Sequence, residues 1–95
     1  MIVGTLRVRL LLRDAHSLKD KRRVIRSLKA NFQNKFNVAI AEVDYHDVWQ
    51  TAELGLVTVG GDTRFVMSVL SELENFVRYF GGVVVTDLQT ETFGA

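Results

Sequence analysis

Apolar and polar positions alternate along the first dozen residues of the chain. Ile2, Gly4, Leu6, Val8, Leu10 and Leu12 share one parity, while Val3, Thr5, Arg7, Arg9, Leu11 and Arg13 share the other. A period of two over this length predicts a strand with one face on a core and one toward water. The period then changes. After a short connection over Asp14–His16, Ser17 is a good helix N-cap, and Asp20 stands three residues on, as in a capping box. Leu18, Ile25, Leu28, Phe32 and Phe36 recur at helical spacing, with Val24 widening the stripe. This helix is expected to end near Lys35, with Asn37 as a left-handed terminator.

Beyond it, Val38–Tyr45 reads as a second strand, Tyr45–Asp47 as a turn, and Trp49–Val59 as a third strand. Gly55 inside that strand predicts a bulge or a close approach of another backbone. Asp62 is the expected N-cap of a second helix over Thr63–Phe80, whose apolar face includes Phe65, Val66, Leu70, Leu73 and Val77. Gly81 and Gly82 stop it, and Val83 to about Phe93 forms a last strand. The order β-α-β-β-α-β predicts one ferredoxin-like α+β domain over residues 1–95, with both helices on one face of a four-stranded antiparallel sheet. Right-handed crossovers set the strand order 4-1-3-2.

Composition narrows the function classes. Ninety-five residues with 47% apolar content make one domain with a real core. The chain has no Cys, which excludes disulfides and thiolate metal sites. Arg7 and Arg9 interrupt the early apolar residues, so no signal-peptide pattern is present, and no apolar stretch is long enough to cross a bilayer. A cytoplasmic location is the expectation.

The net charge of +1 hides an asymmetry. Residues 1–35 carry ten Lys and Arg against Asp14 and Asp20, a balance of +8, and residues 36–95 carry two against nine acids, −7. The stretch SLKDKRRVIRSLK, Ser17–Lys29, contains six of the cations. At about 100° per residue, Lys29, Arg22, Arg26, Lys19 and Arg23 follow one another along one flank of the first helix. Arg13, at the end of the first strand, is placed to approach the start of that helix. Such a strip suits a phosphate backbone, and the helix N-terminus adds its own affinity for anions. The competing reading is a solvated helix face whose charges are neutralised by surface ion pairs. Lys21 is the exception. It points into the apolar quadrant between Leu18 and Ile25, where an ion pair inside the fold with Glu42 explains both residues; the alternative is that it snorkels past the sheet edge.

Three spaced segments, SLKDKRRVI, NKFNVAIAEVD and VWQTAELGLVTVGGD, resemble the successive signatures of the YlxP-like family, a bacterial family of unknown function. The resemblance spans about residues 1–92. It implies the ferredoxin-like fold and supplies no activity. Genes of the family often lie beside those for translation initiation factor 2 and ribosome-binding factor A, which implies a role near the ribosome.

No catalytic constellation stands out. His16 lies near Asp14, and His46 between Asp44 and Asp47, which loop polarity explains more simply than a metal site. Gly60-Gly61-Asp62 lacks the Lys and Ser or Thr of a nucleotide loop and reads as a turn with an N-cap. The third strand lacks the aromatic consensus of an RNA-recognition motif. Trp49 is expected to be buried, as large aromatics mostly are. The helix-free sheet face is partly apolar around Arg7 and Arg9, so a homodimer is expected. The resulting expectation is a non-enzymatic module, without cofactor or metal, that contacts ribosomal or other structured RNA through Arg13 and the strip from Lys19 to Lys29. The competing class is a structural homodimer or protein-interaction module with no nucleic-acid role. A sensor with a small-ligand pocket between helix and sheet edge ranks below both, because the sequence shows no convergent polar set.

Overall fold

The computed structural model describes residues 1–95. Strands β1 (Ile2–Leu12), β2 (Ala39–Asp44), β3 (Thr51–Gly60) and β4 (Val83–Gly94) alternate with helices α1 (Leu18–Lys35) and α2 (Thr63–Arg78) in the order β1-α1-β2-β3-α2-β4. The sheet order is β2-β3-β1-β4, and every neighbouring pair is antiparallel. This is the expected 4-1-3-2 order read from the other edge. No helix is long and apolar enough to cross a membrane.

The alternation of β1 translates directly into burial. Leu6, Val8, Leu10 and Leu12 are all buried, while Arg7 and Leu11 on the other parity are exposed. Leu54 and Leu56 of β3 continue the core layer, and Ile25, Leu28 and Phe32 of α1 and Val66, Leu70, Leu73 and Val77 of α2 close over it. Phe32 is fully buried and packs on Phe76 at a ring separation of 4.9 Å, where the two helices meet. Gly4 makes that closure possible: a Cβ there would lie 2.5 Å from Val66 Cγ1, so α2 sits closer to β1 than any larger residue allows.

Both helix starts follow the sequence. Ser17 Oγ accepts from Asp20 N at 3.1 Å, and Asp20 Oδ2 accepts in return from His16 N at 3.0 Å. Asp62 Oδ1 accepts from Phe65 N at 2.8 Å, so the Gly-Gly-Asp stretch is a turn with an N-cap. α1 ends at Lys35 as expected, but its terminator, the end of α2 and the linkers depart from expectation. Phe36 caps α1 in an extended conformation, and Asn37 is not left-handed. The one non-glycine residue with positive φ is Tyr45, at 62°, after β2. α2 ends at Arg78, and Phe65, expected on its buried face, is exposed in the first turn. Trp49 is 42% exposed rather than buried. It precedes β3, in the linker, beside the His16 ring at 6.3 Å, because the strand starts two residues later than its β-propensity suggests. Gly55 meets its expectation in part: the bulge lies in the neighbouring strand, where the β2 register shifts between Glu42 and Asp44, and what approaches Gly55 is the Val43 side chain rather than a backbone, with Cγ1 3.0 Å from where a Cβ would stand.

Candidate anion-binding site on the first helix

α1 buries one residue per turn along Lys21, Ile25, Leu28 and Phe32. Lys21 therefore occupies a core position, and its side chain is 2% exposed. Its ammonium group finds three oxygens. Nζ donates to the carbonyls of Tyr45 at 2.5 Å and Val48 at 2.7 Å, and lies 2.7 Å from Glu42 Oε2. The ion pair between Lys21 and Glu42 expected from the sequence is thus present. The two carbonyls are additional, and they are available because of the turn. The positive φ of Tyr45 reverses the chain after β2, Asp44 Oδ1 accepts from Tyr45 N at 2.7 Å, and Tyr45 O also accepts from Val48 N at 3.0 Å. Two carbonyl acceptors and one carboxylate at ion-pair distance surround the buried ammonium, as its burial demands. The contact to Glu42 is close but lacks hydrogen-bond alignment, which leaves Oε2 buried without a directed donor.

Fixing Lys21 inward turns the neighbouring cations outward. Arg22, Arg23 and Arg26 are exposed, as is Lys19, and Lys29 is half-buried. Lys19, Arg22, Arg23 and Arg26 line one hollow of about 400 Å³ with no other residue in its wall. Arg22, Arg26 and Lys29 also form the wall of a second cleft, of about 500 Å³, between α1 and the loop after β2. The strip is therefore continuous, with Arg22 and Arg26 shared between the two hollows. None of its five cations makes an ion pair; the pairs of this fold are Arg7 and Arg9 with Glu53, Lys21 with Glu42, and Arg78 with Glu74. Arg13 does not join them. It lies exposed in the turn after β1, outside both hollows. The α1 N-terminus is already capped by Ser17 and Asp20, so the candidate anion site consists of the side chains of the strip.

The other side of the sheet holds an arrangement the sequence reading missed. Glu53 of β3 is 5% exposed on the face without helices. Its Oε1 accepts from Arg9 Nε at 3.4 Å and Nη2 at 3.2 Å, and Arg7 Nε stands 3.9 Å from Oε2. The Arg9 guanidinium lies over the Tyr45 ring, 5.1 Å from its centroid. The hydrogen bond to Glu53 raises the Arg9 pKa, with the Coulombic pull of Tyr45 next in importance. A cation whose folded pKa is raised contributes its stabilisation fully below its ordinary, unfolded pKa. The contribution is constant through the neutral range and fades only in strong alkali. The usable sequence signal was opposite charge at directly paired, same-face positions of the two central strands, Arg9 and Glu53.

A further hollow of about 540 Å³ lies between the C-terminal ends of the helices. Phe36, Phe76 and Phe80 line it and Lys35 is its one cation, lying 5.1 Å from the Phe76 ring centroid. It is a packing seam with too little positive charge for an anion. His16 and His46 serve local contacts: His16 stands beside Trp49, and His46 Nε2 lies 3.2 Å from the Glu42 carbonyl.

A family model described as a protein of unknown function (DUF503) matches residues 3–90. The chain is also 33% identical over 92 residues to a Bacillus subtilis (strain 168) protein named uncharacterized protein YlxP, a match covering 97% of this chain and 100% of that one. Matched along nearly its whole length, the chain belongs to this DUF503, or YlxP-like, family of proteins of unknown function.

Proposed function

We propose that this protein is a non-enzymatic module that binds structured RNA through the α1 strip, acting as an accessory factor at the ribosome. The observation that carries the reading is the lack of acid partners. Nine acids lie in residues 36–95, yet Lys19, Arg22, Arg23, Arg26 and Lys29 pair with none of them. Neutralisation within the chain was the main alternative explanation of the strip, and it does not apply to these five. Cations near a helix N-terminus also oppose the helix dipole, so helix stability does not account for Lys19 and Arg22. Exposed guanidinium groups along one line match the spacing of phosphates better than the edges of bases, so the contact positions RNA without reading its sequence. The choice of ribosomal RNA comes from the gene neighbourhood implied by the family resemblance; phosphate binding comes from the geometry.

Binding of the purified protein to isolated small ribosomal subunits, with an unrelated structured RNA as control, tests this. Saturable binding should weaken with salt, and about four phosphate contacts give a slope of log affinity against log salt near −3. No binding at low salt overturns the proposal.

A second reading has its own observation. On the helix-free face, Phe93, Val3 and Val59 stand in one cross-strand row beside Val57, and three of the four are exposed. We infer that this row pairs two copies of the chain. Arg7 and Glu91 flank it on neighbouring strands, and a two-fold axis sets these opposite charges against each other. Mass in solution across a salt series checks it. A dimer that persists at high salt is expected of an apolar row, one that loosens points instead to charge pairing between the strip and the acids of a second copy, and a monomer at every concentration overturns both.

A further inference from the structure

The cleft beside α1 is more than a continuation of the strip, because its two sides carry opposite chemistry. Arg22, Arg26 and Lys29 form one wall, and Glu42 and Asp47 lie on the other side. Glu42 is held by the buried ammonium of Lys21 through Oε2, and that oxygen is sealed from solvent. Its side chain is nonetheless 21% exposed, which makes Oε1 the part open to the cleft, and Oε1 accepts no hydrogen bond from the protein. The carboxylate is thus fixed in place by one oxygen and offers the other to a donor. At about 500 Å³ the cleft falls within the roughly 300–1,000 Å³ of small-molecule sites. An occupant that satisfies both sides is anionic at one end and carries N–H at the other.

We propose that the cleft receives one unpaired nucleotide whose base bears an exocyclic amino group. Its phosphate lies on Arg22, Arg26 and Lys29, and its amino group donates to Glu42 Oε1. Adenine, cytosine and guanine each carry such a group. Uracil has carbonyl oxygens instead, and its one ring N–H lies between two of them, so a carboxylate repels its edge. The inference rests on the strip being a phosphate site, and it adds discrimination among bases to a surface that otherwise reads only the backbone.

Titration of the full chain with the four ribonucleoside 5′-monophosphates, followed by backbone amide shifts, tests it, with inorganic phosphate as the probe of the cations alone. The adenine, cytosine and guanine nucleotides should shift the amides of Arg22–Lys29 together with those of Glu42 and Asp47. The uracil nucleotide should bind about tenfold more weakly, the scale of one charge-assisted hydrogen bond. Glu42→Gln should abolish the discrimination. Because that change also touches the Lys21 pair, Ala30→Trp serves as the second variant. Ala30 is exposed on α1 and lines the cleft, so a Trp fills the space while every cation stays. It should remove nucleotide binding and spare most RNA binding. Equal affinity for all four nucleotides, or shifts that inorganic phosphate reproduces at Glu42 and Asp47, overturns the assignment of Glu42. RNA binding without any cleft shift overturns the cleft alone; cleft shifts without RNA binding overturn the RNA reading and leave the cleft standing.

Discussion

Replacing Lys21 with Met should lower the stability of the domain by about 3 kcal/mol, because it removes one partner of a buried ion pair and strands its acceptors. Met keeps most of the stem that packs between Leu18 and Ile25, so the loss isolates the ammonium. Tyr45 O retains its bond from Val48 N, whereas Val48 O loses its donor and Glu42 its counter-ion. The partial exposure of Glu42 lets water soften its share, which places the expectation at the low end of the range for broken buried pairs. In a domain of this size the change corresponds to a melting point lower by roughly 15 °C. Urea unfolding measures it directly. Combining Lys21→Met with Glu42→Gln should cost less than the sum of the two single changes, since each removes the same contact. A loss under about 1 kcal/mol for Lys21→Met would show that the turn finds other donors and that the lysine is not what holds it.

The largest effect on binding is expected from Arg22, Arg23 and Arg26 replaced together by Gln. Three lost phosphate contacts should weaken RNA binding roughly a hundredfold at 0.1 M salt and flatten the salt slope by about 2–3. Stability should stay within about 0.5 kcal/mol, because all three side chains are exposed and unpaired and Gln is a good helix former. Relief of the helix dipole at Arg22 acts in the stabilising direction. This pairing of a large binding loss with an unchanged unfolding curve separates the strip from Lys21, whose replacement does the opposite first. Full affinity in the triple variant would remove these residues from the site, whatever the protein binds.

How much of this was legible in advance depended on how local each cause is. The alternation of β1, the Ser17 and Asp62 caps and the helical stripes are local patterns, and they mapped onto the structure nearly residue for residue. Lys21 was found by the same means, since a cation at the position before Ile25 in a core stripe requires an explanation, and strand order limits the acids within its reach. The carbonyls of Tyr45 and Val48 were not legible, because they converge only through a left-handed turn at a residue type that rarely adopts one. Asn37 was the better candidate on propensity, but the chain is already extended at Phe36, because β2 follows almost at once, and Asn37 has no positive φ. Trp49 was misplaced for a related reason: a linker tied down by Lys21 holds it outside the core. The convergent set that the sequence did not show, Glu42 and Asp47 facing the α1 cations, exists only because that linker folds back beside the helix.

The Tyr45–Arg9–Glu53 arrangement has a bearing on how long any complex on the helix-free face would last. Arg9 and Tyr45 already roof Glu53, so the Arg9 end of the sheet offers little apolar area beyond Leu11, and the larger exposed apolar area lies at the end carrying Val57, Val59 and Phe93. A contact confined to half of a four-stranded sheet buries too little to hold two chains permanently. Subunits meeting there would exchange continually, with the paired fraction set by how much protein the cell holds, and the α1 strip on the far side of the sheet would remain free in either form.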